Sequence, residues 1–280
     1  MTRRLATWTI RALAIALVAL PADAREPAWP ELREMLYDDQ FLTDAGALIT
    51  IHAPYRSTED ARTQIGANVA APEGRLLDSV TVILDENPMP VSAVFTFAQP
   101  LPRFFFDLTM RVNGPTPLHV VARTTEGQLF VAESFVKTSG QGACAAPPGT
   151  DPELALATLG DMAIAISEIE EVARLLPTAP GRAQSTAYSH DRRMDLDISH
   201  PSHSGMQMDQ ISLLFIPSRY VETVEVDLDG AGYVDVTGSI SLSENPRLSL
   251  SVPGYTQSVD ITMTDTDGTV STARKTVSGF

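Results

Sequence analysis

The sequence predicts an all-β protein made of two β-sandwich domains in tandem. Apolar and polar residues alternate along many short segments, and one short motif recurs in both halves of the chain. Turn dipeptides separate the segments, namely Glu126-Gly127, Asp229-Gly230 and Asp267-Gly268. A period of two places one face of each segment in a core, which is typical of antiparallel strands. Many short strands with regular turns and little helix favour sandwiches over an α/β fold.

The first 24 residues have the pattern of a secretory signal peptide. Arg3 and Arg4 precede an apolar run over 12–20, and a small-x-small cleavage site lies at 22–24. The apolar run is shorter than the roughly 18 residues that a membrane-spanning helix needs. We therefore expect a soluble periplasmic protein after removal of 1–24, exported by general secretion or by the twin-arginine route.

The chain is strongly acidic, with a net charge of −15 from 35 acidic and 20 basic residues. Such a charge argues against nucleic acid and anionic membrane surfaces as partners. It suits a positively charged protein partner, and it equally suits a solvated surface that aids solubility. Both interpretations stay open at this stage.

A short helix is predicted over 30–36, because Leu32, Met35 and Leu36 recur at helical spacing. The strands that follow are identified by their apolar faces. These faces are Val80, Val82 and Leu84; Val91, Ala93, Phe95 and Phe97; Phe104, Phe106, Leu108, Met110 and Val112; Val224, Val226 and Leu228; Val234, Val236, Gly238, Ile240 and Leu242; Leu248, Leu250 and Val252; and Val259, Ile261 and Met263.

A repeated motif favours two related domains. The sequence Glu-Asn-Pro stands at 86–88 and again at 244–246, each time after one alternating strand and before another. We predict a first sandwich over 25–138, a linker over 139–152 and a second sandwich over 153–280. The segment 151–176, where the second sandwich begins, fits a helix, a strand or one after the other. Residues 177–191 have the composition of a loop or insertion.

The linker contains Cys144, the only cysteine of the chain. Its neighbours are small or turn-forming, so the segment lacks the apolar surface to order itself and is predicted to be a flexible arm containing Gly140, Gly142 and Gly149. A lone cysteine in an exported protein is a reactive thiol, an intermolecular pairing site or an inert buried residue. No cation lies beside it in sequence, so only a few per cent would be thiolate at neutral pH. Cys144 therefore fits a cargo attachment point better than an activated nucleophile.

Several motifs resemble the SoxY and SoxZ sulfur carrier proteins, here fused in one chain. The SoxY-like motifs are Ile49-Thr50-Ile51-His52-Ala53-Pro54, Asp85-Glu86-Asn87-Pro88-Met89-Pro90 and Gly140-Gln141-Gly142-Ala143-Cys144. The SoxZ-like motifs are Ile198-Ser199-His200-Pro201, Gly205, Asp209, Ile216-Pro217-Ser218-Arg219-Tyr220-Val221 and Ser243-Glu244-Asn245-Pro246. In SoxY the cysteine stands between glycine pairs at the chain end, whereas Cys144 precedes Ala145-Ala146-Pro147-Pro148 and a second domain.

The resemblance implies two immunoglobulin-like sandwiches and a swinging arm whose Cys144 carries oxidised sulfur intermediates between periplasmic enzymes. It implies neither enzymatic activity nor a bound cofactor. The fused form is also similar to SoxYZ-like carriers associated with quinoprotein dehydrogenases, which suggests a link to pyrroloquinoline quinone-dependent alcohol oxidation. The expected partners are thus sulfur-oxidising enzymes or a quinoprotein dehydrogenase, together with a small sulfur species bound covalently.

Two other functions stay open. The chain could be a non-covalent docking module for a periplasmic quinoprotein or cytochrome, in which Cys144 has no role. It could also bind a metal through His190, His200 and His203, although their spacing matches no strong metal motif. The sequence has no nucleophile elbow and no phosphate-binding glycine loop, so we do not expect an enzyme.

Overall fold

The computed structural model describes residues 28–140, 142–168 and 191–277. The expected signal peptide over 1–24 and nearly all of the expected loop over 177–191 lie outside these ranges. The two α-helices of the described residues are α1 (Trp29–Tyr37) and α2 (Pro152–Ala157). The strands are β1 (Leu42–Asp44), β2 (Ile49–His52), β3 (Thr63–Ala70), β4 (Leu77–Leu84), β5 (Val91–Leu101), β6 (Arg103–Met110), β7 (Thr116–Thr124), β8 (Leu129–Val136), β9 (Met162–Glu168), β10 (Asp191–Ile198), β11 (Val221–Leu228), β12 (Ala231–Thr237), β13 (Arg247–Pro253), β14 (Ser258–Asp265) and β15 (Val270–Thr276).

The all-β prediction is confirmed, and the alternating apolar residues are the ones that form the core. Val80, Val82, Phe106 and Leu108, for example, are each 0% exposed. Two strands end earlier than their patterns predict. β6 ends at Met110, so Val112 lies beyond the strand although it is buried. The alternation continues to Leu242, but β12 ends at Thr237 because residues 239–242 form a turn, closed by the Leu242 N–H donating to the Ser239 carbonyl at 3.0 Å.

Two facing sheets run through both halves of the chain. One has the strand order β1-β8-β7-β4-β5-β12-β11-β14-β15, and the other has the order β2-β3-β6-β13-β10-β9. The halves meet where β5 pairs with β12 and β6 pairs with β13, both antiparallel. We call this line of pairing the seam. Each half therefore supplies strands to both layers, and the tandem sandwiches are continuous edge to edge.

Four phenylalanines fill the core beside the seam. Phe95 of β5 lies 4.6 Å from Phe106 of β6 between ring centroids, and Phe97 lies 4.8 Å from Phe104. These contacts cross from one sheet to the other, because β5 and β6 belong to different layers. Aromatic pairs at such distances contribute about 0.5–1.5 kcal/mol beyond the area that they bury.

One of the two helices was predicted from the sequence, and the other lies in a segment whose secondary structure the sequence left open. α1 covers the predicted 30–36 and packs on the larger sheet, where Trp29 stacks on the ring of His119 with centroids 3.7 Å apart. The segment 151–176, which the sequence left open, is a helix followed by a strand, α2 and then β9, as far as the structure describes it to residue 168. Neither helix in the described ranges is long and apolar enough to cross a membrane.

We predict that Gly66→Ala destabilises the fold, because β3 and β6 approach each other closely at this residue. A Cβ on Gly66 would lie 2.6 Å from the Phe106 carbonyl oxygen, which belongs to the main chain and cannot rotate away. Overpacking of this kind costs about 1–3 kcal/mol, measurable by urea unfolding. Gly114→Ala is the control, since a Cβ there meets nothing within 4 Å and should leave the stability nearly unchanged. Equal stability of the two variants would contradict the close approach.

Candidate functional site

The single cysteine lies in the segment that connects the two halves. β8 ends at Val136, and the chain continues through residues 137–151 to α2. Cys144 lies in a short 3-10 turn over Ala143–Ala145, and its exposed fraction is 0%. The thiol is free of any disulfide and is enclosed by the protein.

Side chains from both halves hold the main chain around Cys144. The Cys144 N–H donates to Asn113 Oδ1 at 3.1 Å, and Asn113 follows β6 in the first half. From the second half, Ser204 Oγ donates to the Cys144 carbonyl, and Gln207 Nε2 donates to the Ala146 carbonyl at 3.0 Å. The docked position of the cysteine therefore depends on both halves at once.

Glu244 of the repeated motif binds the same segment further along. Its two carboxylate oxygens accept from the N–H groups of Gly149 and Thr150, each at 2.7 Å. Asn245 Nδ2 also donates to Thr150 Oγ1 at 3.2 Å. Burial raises the pKa of Glu244, but the hydrogen bonds from Thr150 and Gly149 outweigh it and leave that pKa below its ordinary value. The carboxylate is consequently ionised at neutral pH and remains an acceptor for both amides.

In this structure the segment predicted as a flexible arm, 139–152, is docked on the two sandwiches, and its flexibility stays a prediction. The composition argument considered only apolar burial, whereas polar side chains of the two sandwiches bind the main chain of this segment. Two of its glycines allow the backbone to turn, since Gly140 and Gly142 have positive φ values of 79° and 77°, which favour glycine. Gly149 instead contributes its amide to Glu244.

Burial changes the chemistry of the thiol. It raises the pKa of Cys144 from 9.0 to about 11, and the positive charge of Arg111 acts in the opposite direction. At neutral pH the docked side chain is almost wholly a thiol, and the thiolate is the nucleophilic form. Cys144 in this position is therefore even less reactive than the few per cent of thiolate expected for a free arm.

A pocket of about 310 Å³ opens beside the docked segment. Ala143, Ala146, Arg62, Arg111 and Glu244 are among the residues that line it. The volume is far more than the roughly 30 Å³ of a single water molecule, so the pocket has room for a small group. Cys144 stands between Ala143 and Ala146 in the sequence, so the pocket adjoins the docked cysteine segment.

Arg111 is the unusual residue of this pocket, because it is charged and only 2% exposed. Its Nη1 donates to the carbonyls of Ile240 and Leu242 at 3.3 and 2.7 Å, which ties the first half to the second across the seam. Burial lowers its pKa, while Cys144 in its thiolate form and the Glu244 carboxylate act in the opposite direction. No carboxylate among the described residues forms an ion pair with this guanidinium.

The histidines singled out as metal ligands have other partners. His190 lies outside the described residues. His200 is buried, and its Nε2 lies 3.3 Å from Asp265 Oδ2. Arg219 Nε donates to the same oxygen at 2.8 Å. His203 Nδ1 lies 3.1 Å from Gln207 Oε1. Within 28–140, 142–168 and 191–277, no three His, Cys, Asp or Glu side chains are grouped as a metal site requires.

Sequence reasoning found the cysteine but missed most of what surrounds it. Glu244 stands in the repeated Glu-Asn-Pro motif and in a SoxZ-like motif, but neither connects it to Cys144. Asn113, Ser204 and Gln207 are ordinary polar residues in loops, and nothing in their spacing connects them to Cys144. Arg111 offered one signal, since it is a charge between Met110 and Val112 at the end of an apolar strand.

Two family models match the chain, one on each half. The sulfur oxidation protein SoxY model matches residues 33–144 and the sulphur oxidation protein SoxZ model matches residues 183–276, so together they cover well over half of the chain. This chain is a fused SoxYZ family member. The SoxY match ends at Cys144, the residue that the linker brings to the seam. The seam thus joins the SoxY domain to the SoxZ domain within one polypeptide.

The chain is also similar to solved structures. The sulfur carrier protein SoxY from Chlorobium limicola f thiosulfatophilum is 20% identical with a TM-score of 0.35, covering 40% of this chain and 96% of its own. A superoxide reductase (neelaredoxin) from Ignicoccus hospitalis is 16% identical with a TM-score of 0.27, covering 40% of this chain and 90% of its own. None of the curated protein sequences matches this fused SoxYZ chain.

We predict that Cys144 makes the stability of this SoxYZ protein depend on pH above about 9. The folded thiol keeps its proton up to about pH 11, whereas an unfolded thiol loses it near the ordinary value of 9.0. The contribution is therefore complete below pH 9 and is lost as the pH rises towards 11, by about 3 kcal/mol in the free energy of unfolding.

Cys144→Ala should not show this loss. Tyrosines titrate in the same pH range in both proteins, so the difference in unfolding free energy between wild type and variant reports the contribution of Cys144 alone. Urea unfolding at several pH values from 8 to 11.5 measures the difference. A difference that stays constant across this range would contradict a buried thiol.

We also predict that the double variant Ser204→Ala and Gln207→Ala releases the cysteine segment. Both side chains donate to main-chain carbonyls of that segment, and each hydrogen bond contributes about 1 kcal/mol. The rate of thiol labelling by a neutral maleimide should rise about tenfold at pH 8. Gln128→Ala is the matched control, because Gln128 is exposed and lies in the turn between β7 and β8. An unchanged labelling rate in the double variant would show that these bonds do not hold the segment.

Proposed function

We propose that this SoxYZ protein carries a sulfur-containing group covalently on Cys144 and presents it to sulfur-oxidation enzymes. The observation that carries the proposal is the place of the chain's only thiol, at the end of the SoxY match and docked against the SoxZ domain. SoxY and SoxZ are sulfur carrier families, so the coarser role in sulfur oxidation follows from membership. The covalent step, and the absence of catalysis by the chain itself, are proposals.

The contacts around Cys144 support a cycle between a docked and an undocked segment. In the docked state, burial raises the pKa of the thiol, so loading requires the segment to leave the seam. The bonds to Asn113, Ser204 and Gln207 are single hydrogen bonds worth about 1 kcal/mol each, which makes release reversible. Joining the thiol to the terminal sulfur of an anion such as thiosulfate removes two electrons and one proton. A partner redox enzyme accepts these electrons, and later thiol exchange transfers the carried sulfur to the attacking thiol and releases Cys144.

We further propose that the chain is exported to the periplasm, as the signal-like residues 1–24 suggest. A sulfur-oxidising enzyme or a quinoprotein dehydrogenase would there be its partner. The net charge of −15 suits a partner surface with basic residues. Weak, salt-sensitive association would let each partner leave after transfer.

A second candidate function, non-covalent docking, is favoured by an exposed apolar hairpin. Residues 206–215 form this hairpin, in which Met208 bridges to Phe215. Ile211 is 94% exposed, and Leu213, Leu214 and Phe215 are each 67% or 68% exposed. Adjacent exposed apolar side chains of this kind mark interaction surfaces. Gln207 belongs to the same hairpin and bonds to the cysteine segment, so a partner bound there would lie beside Cys144.

Two variants separate the candidate functions in the cells that make the protein. If the chain is a covalent carrier, Cys144→Ser should reduce sulfate formation from thiosulfate to below one tenth, since a hydroxyl forms no disulfide-type bond. The pair Leu214→Ser and Phe215→Ser should reduce it by weakening association, with stability changed by less than about 1 kcal/mol because both side chains are exposed.

Tyr255→Ser is the matched control, an exposed aromatic residue outside the hairpin. Normal oxidation of both thiosulfate and alcohols by the Cys144→Ser strain, together with a defect in the hairpin strain, would reject the carrier and leave the docking module.

A further inference from the structure

The hairpin over 206–215 connects an exposed apolar tip to the cysteine segment. At its base, Gln207 Nε2 donates to the Ala146 carbonyl at 3.0 Å. Ser204, which precedes the hairpin, donates through Oγ to the Cys144 carbonyl. Four exposed apolar side chains form the tip, namely Ile211, Leu213, Leu214 and Phe215. One short element therefore joins an uncovered apolar surface to two of the side chains that hold the cysteine in place.

The two sides of the hairpin are bonded to each other along their length. The Ile216 N–H donates to the Gln207 carbonyl at 2.8 Å, and the Asp209 N–H donates to the Leu214 carbonyl at 2.9 Å. The Asp209 carboxylate also accepts from two main-chain N–H groups of the turn, at 3.1 and 2.6 Å. Because these bonds run from the tip to the base, a displacement of the tip is transmitted to Gln207.

Leu213 is held in a backbone conformation that costs free energy. Its φ is 59°, in the left-handed region where a glycine would be less strained. The Leu213 side chain is exposed, so packing within this chain does not account for a leucine at this position. Strain of this kind is retained where a residue has a function. We take the side chain to be a contact for another molecule.

The charges near the hairpin indicate what kind of molecule covers its tip. Residues 204–218 contain no Lys or Arg, and their one acidic residue is Asp209. Hydrogen bonds from Ser212 lower the pKa of Asp209, so its carboxylate is ionised at neutral pH. The nearest arginine in the sequence, Arg219, is bound to Asp265 at 2.8 Å. An apolar tip with a negative charge, on a chain of net charge −15, fits a pocket that is apolar inside and basic at its rim. A second copy of this chain and an anionic membrane both carry the same sign of charge as the hairpin.

We propose that the hairpin is a release element, in which a partner enzyme binds the tip in such a pocket and thereby detaches Ser204 and Gln207 from the cysteine segment. The inference rests on the proposed function in one respect, that a partner enzyme takes up Cys144. It adds the surface that the partner recognises and the event that frees the thiol.

The energetics of release follow from what each state offers to the partner. A ligand shifts an equilibrium only by its difference in affinity for the two states. The docked state offers the partner the tip alone, because Cys144 is enclosed. The undocked state offers both the tip and the thiol, so binding favours undocking. The thiol thus becomes accessible where a partner is already bound, and it stays enclosed elsewhere.

The rate of Cys144 labelling by a neutral maleimide tests release directly. The partner is supplied as the periplasmic extract of a strain that lacks this chain, and labelling of the added protein is followed by its mass. We expect the extract to raise the rate about tenfold for the wild type, since two hydrogen bonds to the segment are lost. The pair Leu214→Ser and Phe215→Ser should abolish this rise, and Tyr255→Ser, an exposed aromatic residue outside the hairpin, should retain it.

Leu213→Gly separates contact with a partner from folding. Glycine removes an exposed side chain and relieves the strain at a φ of 59°, so the urea midpoint should not fall. The rise in labelling should nevertheless be lost. At about 1 M salt, where the Debye length is about 3 Å, the effect of the extract on the wild type should weaken. An effect that salt leaves unchanged would contradict a basic rim.

Three results would overturn the proposal. One is the absence of any rise for the wild type, and another is a rise of equal size in the hairpin variants. The third is a rise caused by phosphatidylcholine vesicles, or by a higher concentration of the chain alone, because a membrane or a second copy would then cover the tip.

The outcome is separable from that of the proposed function. A rise that requires the hairpin, in a protein that never carries sulfur in its own cells, would retain the release element and reject the carrier. Native sulfur on Cys144, combined with labelling that does not depend on the hairpin, would retain the carrier and reject the release element.

Discussion

The pairing of β6 with β13 across the seam is the constraint on which the site depends. It fixes Leu108 opposite Leu248 and brings the end of β6 beside the turn that precedes β13. Arg111 and Asn113 follow β6 directly, and Glu244 precedes β13, so one pairing places groups from both domains around the cysteine segment. In this fused chain the SoxY and SoxZ domains share two sheets, and their relative position is set by main-chain hydrogen bonds as well as by side-chain packing.

The extensive strand pairing and packing at the seam contrast with the weak attachment of the cysteine segment. The core beside the seam consists of large buried side chains, whereas the segment is held by hydrogen bonds from a few side chains. Each is worth about 1 kcal/mol, or about 1.5–3 kcal/mol for the two that the Glu244 carboxylate accepts. A stable frame with a weakly attached segment allows the segment to leave without unfolding the sandwiches. The raised pKa of Cys144 and the buried charge of Arg111 both follow from the same enclosure, so undocking changes thiol reactivity and electrostatics together.

The fold was predictable because the alternation of apolar and polar residues, with a period of two, can be recognised from neighbouring residues alone. Val80 and Phe106 could be assigned to a core from their neighbours alone, and Asp229-Gly230 and Asp267-Gly268 do form the turns that such pairs indicate. Docking of the cysteine segment was not predictable from the sequence, since it depends on contacts such as Ser204 with Cys144, 60 positions apart. Composition describes what a segment can bury by itself. It carries no information on polar groups that a distant loop offers to its main chain.

The intact mass of the protein, purified from its own cells with and without a reductant, tests the central claim most directly. The account predicts an added mass on Cys144 that corresponds to a sulfur-containing group, present during sulfur oxidation and removed by the reductant. Peptide mapping would locate this mass within the segment that follows β8. An unmodified thiol under every growth condition, including active oxidation of thiosulfate or alcohol, would contradict the account.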